Sequence, residues 1–391
     1  MTGTANGRPE RGDVLAAVSA LVEHELEPRA QGIDASGEFP MDLYRQFGDI
    51  GVFGTFVPEE FGGIPVGLMT TLLVIERIAR SSAGVAVSFG NCGDAVRSIV
   101  AGGSSEVKQE VLPRVASGEA IPCFALTEPE AGSDAAGLTT KARRDGDMYY
   151  LSGQKIYITN GSVADYYTVF ARTSNGGSAG VSAFLVRRGA PGLVIGRNEN
   201  LLGLRGMPAT VLSFDDVPVH AGWRLGAEGD GFTLAMSALD EARLNISAVA
   251  LGVARRAMNL AVAQARTRRT FGRPIIEHQG MGFLFADLGT DLAAAWALFG
   301  KAVQAVEEHP GRSASAVTSM AKLACTDMAM RVVTEAVQVF GGAGLTKDYV
   351  VERLFRDAKS FQILDGTTQI QKWIIGRHLA RQDYPFAELG W

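Results

Sequence analysis

Apolar residues fall at three- and four-residue spacing from Asp13 to about Pro122, in VLAAVSALVEHELEPRA, MDLYRQFGDIGVFG and the long run GLMTTLLVIERIARSSAGVAVSFGNCGDAVRSIVAGG. That repeat predicts helices with one buried face. Pro58 and the pair Gly62 and Gly63 punctuate it. From about Cys123 to Leu234 the pattern changes to short runs, MYYLSGQKIYIT, DYYTVFART, VSAFLVRR and ATVLSFDDVPV, separated by DGD, NGS, SNGG and APG turns. Runs rich in Val, Ile, Tyr and Phe between such turns predict a small antiparallel β domain. After Met236 helical spacing returns in SALDEARLNISAVALGVARRAMNLAVAQARTRR, FLFADLGTDLAAAWALFGKAVQAVEEH and SASAVTSMAKLACTDMAMRVVTEAVQVFGGAG, the last stopped by glycines. These segments are long enough for a four-helix bundle. The expected architecture is mainly α with a central β domain: helices over 1–122, sheet over 123–234 and bundle over 235–391, without internal repeats.

Composition narrows the function. The chain has 391 residues, 47% hydrophobic and 20% charged, enough to bury a large core in more than one layer. With 37 basic against 42 acidic side chains and no long basic run, nucleic acid is not the expected partner, and a small molecule is. Cys92, Cys123 and Cys325 lie far apart without CxxC spacing, so neither a metal site nor a disulfide framework is expected, and all three read as reduced core residues. The N-terminus is polar and no uncharged stretch approaches the length of a membrane span. The sequence reads as a cytoplasmic enzyme of bacterial type.

Individual motifs admit two readings each. CFALTEPEAGSDAAGLTTKA, residues 123–142, is a Gly-rich turn in which Ser133 and Asp134 bond local backbone. It is also a place where N–H groups and hydroxyls of Leu126, Thr127, Gly132 and Ser133 can line a polar ligand. Tyr157 alone reads as a strand aromatic of the core. Arg266, Arg268 and Arg269 read as a solvated helix end, and Gly341, Gly342 and Gly344 as a helix stop. Asp240 and Arg243, spaced i, i+3, read as a surface ion pair of small energetic value. Asp365, in QILDGTTQIQK, is either the N-cap of the last helix or a catalytic base.

The same segments, in order and over essentially the whole chain, resemble the acyl-CoA dehydrogenase family. TEPEAGSD matches its T-E-P-x-A-G-S-D segment and GQKIYITNGSVADYYTVFAR its second β-domain segment. RTRRTFGRPIIEHQ resembles R-x-x-F-G-x-x-I-x-x-x-Q. QVFGGAGLTKDYVVERLFRDAK resembles the family's Gly-rich segment, with Leu345 where tyrosine is usual, and LDGTTQIQ its E-G-T-x-Q-I-Q close. The resemblance implies an N-terminal helical domain, a middle antiparallel β-barrel domain and a C-terminal four-helix bundle, with FAD held at their junction in a homotetramer. Phe124, Leu126, Thr127, Gly132 and Ser133 would contact flavin, with Tyr157 and Thr159 along its ring system. Arg268, Phe271, Gln279, Gln338, Gly341 and Gly342 would reach the FAD of a partner subunit, where an arginine fork suits pyrophosphate. Thr367 and Gln369 would offer the first turn of the last helix to flavin or phosphate. Asp240 and Arg243 would face coenzyme A, with Ser133, Leu364 and Arg377 also on the substrate side. Leu68, Phe89, Asn91 and Asp94 would approach the acyl tail, Asp94 being read as a surface or capping acid more readily than as a second acid acting on a remote carbon.

The implied reaction is α,β-dehydrogenation of an acyl-CoA thioester: a carboxylate takes the α proton, flavin takes the β hydride, and electrons leave to an electron-transfer flavoprotein. A backbone N–H at the base position and a flavin hydroxyl would polarise the thioester carbonyl. The sequence departs from the family at the base itself, where Asp365 replaces glutamate and Leu364 an aromatic residue. The shorter side chain draws the carboxylate back by about 1.5 Å, which fits a pocket rebuilt for a cyclic or branched acyl group. Glu241 lies about 100° round its helix from the alternative base position at Ala242, and is discounted. Acyl-carrier-protein thioesters, flavin oxidase or monooxygenase chemistry, and a flavin-binding scaffold without turnover are the competing expectations.

Overall fold

The computed structural model describes residues 11–309 and 314–381. Its N-terminal part is helical: α1 (Arg11–Leu21), a five-residue π segment (Val22–Leu26), α2 (Glu27–Ser36), α3 (Met41–Asp49), α4 (Leu68–Ala79), α5 (Ala83–Gly102) and α6 (Ser105–Ala116). The long apolar run predicted as one stretch divides into α4 and α5. Ser82 turns extended there and its hydroxyl accepts from the Val85 N–H at 3.4 Å, an N-cap that starts a new helix. Tyr44 and Phe47 of α3, Phe53, and Phe89 of α5 form a fully buried cluster with ring centroids 4.1 to 5.5 Å apart. Burying each such ring stabilises the domain by about 1.5–3 kcal/mol.

The middle of the chain folds as one eight-stranded sheet: β1 (Pro122–Ala125), β2 (Lys141–Asp145), β3 (Met148–Thr159), β4 (Tyr166–Arg172), β5 (Val181–Arg187), β6 (Leu193–Asn198), β7 (Ala209–His220) and β8 (Arg224–Leu225). The path runs β6-β7-β3-β2-β4-β5-β8, with β1 on β4. Most ladders are antiparallel, as the turn spacing predicts, but β1 and β2 each pair with β4 in parallel. β1 arrives from a helix rather than from a hairpin, so no turn dictates its direction. β6 and β8 remain the ends of the path, without a ladder between them among the described residues.

The last part begins with α7 (Gly231–Thr267), followed by the small hairpin β9 (Arg269–Thr270) and β10 (Arg273–Pro274), then α8 (Gln279–Glu308), α9 (Ser315–Phe340), α10 (Val350–Phe361) and α11 (Thr368–Leu379). Three of these helices are long and two short. The expected four-helix bundle thus gains a helix, because the left-handed pair Asp365 and Gly366 separates α10 from α11. By length and composition alone α7 and α8 could each cross a membrane, although charged residues interrupt both and neither holds an uncharged stretch of that length. α7 packs against α9, α5 and α4 as the central core helix. α8 buries only Leu288, Ala295, Phe299, Ala302 and Val303 and leaves Phe283 62% exposed.

Candidate active site

The turn between α10 and α11 places the acid in question. Asp365 takes φ 50° and Gly366 φ 89°, and for a residue with a Cβ this conformation costs on the order of 1 kcal/mol. Two fully buried side chains hold the turn. Lys322 of α9 donates from Nζ to the Leu364 carbonyl at 2.6 Å and to the Gly366 carbonyl. Gln371 of α11 donates from Nε2 to the Asp365 carbonyl at 3.1 Å and to that of Gly366 at 2.8 Å. The capping reading of Asp365 fails, because Thr367 caps α11, its hydroxyl accepting from the Ile370 N–H at 3.3 Å. Among the described residues the Asp365 carboxylate has no hydrogen-bond partner and lines a cavity instead.

Helices α5 and α7 build the other walls of that cavity. Val87, Ile246, Val249 and Leu364 make it apolar, while Thr159, Asn91, Asp94 and Asn245 add polar groups. Asp94 is 7% exposed and accepts from Asn245 Nδ2 at 3.0 Å, which overturns the surface or capping reading. Burial raises both carboxyls above the ordinary aspartate range, and the charge of Asp365 raises Asp94 further. The cations of Lys322 and Arg243 pull Asp365 back toward ionisation. Two acids in one apolar chamber do not both ionise readily, and of the two it is Asp94 that is raised well above the ordinary aspartate value. Glu241 is engaged by Arg97 of α5, in keeping with its dismissal as a base.

Asp240 and Arg243 are not the surface pair that their spacing suggests, being 8% and 4% exposed. Arg243 Nη1 donates to Asp240 Oδ1 at 2.5 Å, and the Ser315 hydroxyl donates to the same oxygen at 2.6 Å. Of the residues expected at the acyl tail, Asn91 and Asp94 line the cavity. Phe89 belongs to the aromatic core, and the Leu68 N–H bonds Glu307 Oε1 at 2.8 Å.

The segment after β1 is fixed by a buried ion pair. Lys155 Nζ lies 2.8 Å from Glu128 Oε1 and 3.0 Å from the Leu126 carbonyl, and Glu128 also accepts from the Thr139 and Thr140 N–H groups at 2.6 and 3.0 Å. The Thr127 carbonyl accepts from the Ile156 N–H at 2.9 Å. Phe124 packs its ring 4.8 Å from that of Phe170, and Ser133 is exposed. Between Lys155 and Ile158 the β3–β7 register slips, and the bulge pushes Tyr157 out at φ 55° with 61% of its surface exposed. Tyr157 is therefore not a core aromatic. Two residues on, Thr159 lines the cavity. A flat ligand fits this face, since a strained bulge that exposes an aromatic ring two residues from a cavity-lining threonine has no packing rationale of its own.

Other expected residues lie apart from the cavity in one chain. Phe271 is 96% exposed in the β9–β10 turn at φ 49°. Arg268 ends α7, Gln279 begins α8, and Gln338, Gly341 and Gly342 are exposed at the end of α9. Gln369 is exposed in the first turn of α11, and the Arg377 guanidinium rests 4.4 Å from the Trp373 ring centroid. Sequence reasoning passed over Lys322 and Asn245. The signal for Lys322 was present: it shares a helical stripe with Ser319, Cys325, Ala329 and Val333, all fully or almost fully buried.

Family models match over three consecutive spans: the acyl-CoA dehydrogenase N-terminal domain at residues 8–119, the middle domain at 123–217 and the C-terminal domain at 229–380. An acyl-CoA dehydrogenase of Bacillus subtilis is 42% identical over 93% of this chain and 96% of its own. The cyclohexane-1-carbonyl-CoA dehydrogenase of Geobacter metallireducens is 39% identical over 94% and 97%. A chain from a structure described as the electron transferring flavoprotein of Acidaminococcus fermentans superposes with a TM-score of 0.92 at 36% identity, covering 97% of this chain and 100% of that one. The chain belongs to the acyl-CoA dehydrogenase family, whose members are FAD-dependent oxidoreductases.

Proposed function

We propose that the protein catalyses α,β-dehydrogenation of a compact, cyclic acyl-CoA, with Asp365 as the base that takes the α proton. The observation that carries this is the Asp365 carboxylate, held in a left-handed turn, without a hydrogen-bond partner among the described residues, and facing a largely apolar cavity. A base so placed keeps its lone pairs for substrate, and its raised proton affinity favours abstraction near neutral pH. FAD supplies the acceptor for the β hydride when bound along Phe124, Leu126, Thr127, Gly132, Ser133, Tyr157 and Thr159. The outlying group Arg268, Phe271, Gln279, Gln338, Gly341 and Gly342, with Thr367 and Gln369, serves the cofactor shared across a homotetramer, which their exposure away from their own cavity supports.

Arg243, whose Nε has no partner among the described residues, and Asp240 attend the coenzyme A arm, with Ser133 and Arg377 outside it and Leu364 against the acyl group. Two features support a compact ring. The base is one methylene short of glutamate, and a relative of 39% identity carries the cyclohexane-1-carbonyl-CoA name. Electrons pass to an electron-transfer flavoprotein, and the enzyme works in the cytoplasm.

An anaerobic titration of the FAD-bound enzyme with straight, branched and cyclic acyl-CoAs, followed at the visible flavin band, tests this reading. Bleaching is expected with the cyclic members and is expected to vanish in Asp365→Asn. Undiminished bleaching in that variant sinks the assignment of the base, and bleaching by long straight chains alone sinks the assignment of the substrate.

A further inference from the structure

All three carbonyls of the catalytic turn are tied down on one side. Lys322 takes those of Leu364 and Gly366, and Gln371 takes those of Asp365 and Gly366. Neither Lys322 nor Gln371 lines the cavity, whereas Leu364 and Asp365 do. In a planar trans peptide the N–H points opposite to the C=O, so anchoring the Leu364 carbonyl on Lys322 turns the Asp365 N–H away from α9, to the cavity side. The N–H groups of Asp365 and Gly366 have no acceptor among the described residues. An orphaned N–H beside a cavity is a donor kept for something that enters it.

We infer that Lys322 is a positioning residue for carbonyl polarisation: by holding the Leu364 carbonyl it aims the Asp365 N–H at the thioester oxygen of the substrate. The inference rests on the reading of Asp365 as the base, because one residue then supplies both the carboxylate for Cα and the donor for the neighbouring carbonyl. α-Proton removal moves negative charge onto that oxygen, where a fixed donor has its largest effect. A lysine suits the task because its head carries three N–H donors and reaches two carbonyls of the tight turn at once. Its burial, with no exposed surface, pulls its pKa down to about 8, yet the amine keeps two N–H donors even when neutral.

The test uses the FAD-bound Asp365→Asn enzyme, which retains the backbone donor and removes both turnover and any change in the ionisation of the base. Cyclohexane-1-carbonyl-CoA, isotope-labelled at the thioester carbonyl, is bound and its carbonyl stretch read by difference infrared spectroscopy. A shift to lower frequency than in water is expected, and adding Lys322→Met is expected to remove most of it while FAD and ligand stay bound. Gln371→Leu, which leaves the Leu364 carbonyl on Lys322, is expected to keep it. With Asp365 intact, Lys322→Met should lower kcat about 10²-fold and change KM far less.

An unchanged shift in the methionine variant overturns the inference. So does the absence of any shift in the Asp365→Asn enzyme, whether or not the methionine variant folds. Failure of the base assignment itself shows elsewhere, as flavin reduction that survives Asp365→Asn.

Discussion

Lys155→Met is the perturbation with the clearest arithmetic. Lys155 and Glu128 are 2.8 Å apart with side chains 0% and 2% exposed, so removing the cation strands a buried carboxylate. Breaking such a pair costs about 3–5 kcal/mol. Proton binding shows separately how firmly the Glu128 charge is held. Burial alone would raise the Glu128 pKa, but Lys155 and the N–H groups of Thr139 and Thr140 hold it down to about 2 against an ordinary 4.5, a difference of about 3 kcal/mol at about 1.4 kcal/mol per tenfold change. Because the folded-state value is the lower one, this stabilisation is complete above pH 4.5 and is lost as the pH falls toward 2. Lys155 itself is pulled down to about 8 by burial, against the pull of Glu128.

Denaturant unfolding near neutral pH is the assay, with Lys155→Met, Glu128→Gln and the double variant compared. The double variant should recover much of the loss, since it removes the stranded charge. A loss below about 1 kcal/mol for Lys155→Met, the value of an exposed pair, would refute the reasoning. So would an acid-induced loss of stability that is the same in Glu128→Gln. Because Lys155 also holds the Leu126 carbonyl, the single variant should bind FAD more weakly.

Asp365→Glu pushes the carboxylate forward by about 1.5 Å and should slow flavin reduction by the preferred acyl-CoA about 10²-fold; an equal or faster rate would mean that the pocket does not measure the length of its base. The rate of flavin reduction should fall on the acid side as Asp365 takes up a proton, at a pH above the ordinary aspartate value of 3.8 because burial raises it. Lys322→Met should move that limb higher still, since Lys322 is the cation that most lowers the Asp365 pKa. Tyr157→Ala should weaken FAD binding, read by fluorescence on dilution, while leaving the melting temperature of the FAD-free protein unchanged or higher, since it removes an exposed ring and trims a strained bulge.

Period carried most of the fold. The spacing in VLAAVSALVEHELEPRA and SALDEARLNISAVALGVARR corresponds to helices with a buried stripe, and the alternation in MYYLSGQKIYIT to β3. What period could not carry was the boundary at Ser82, a single hydrogen bond long, or the direction of β1, which no turn fixes. Spacing alone says least about the ionisable residues. Asp94, Asp240 and Arg243 sit at spacings that fit a wet helix face as well as a buried one, and only the helices packed against them decide. Strand alternation alone would put Tyr157 in the core, and a bulge reverses the face that alternation assigns. Lys322 stood in plain view within a stripe of small buried residues, and a lone cation there implies partners close by, here two carbonyls of a turn 42 and 44 residues further on.

The π segment in the first helix shows how that stripe is kept facing inward. Its buried residues Val14, Val18, Val22, Leu26 and Ala30 recur every fourth position, and in an α-helix each such step overshoots a full turn by about 40°. Continued over the whole helix, that drift would swing Ala30 away from the core. The wider turn at Val22–Leu26 absorbs one residue of excess and resets the phase. The segment has the form of a one-residue insertion that the helix has accommodated. A one-residue deletion within Val22–Leu26 would leave an unbroken helix presenting the same apolar face, and should be better tolerated there than in the helical turns on either side.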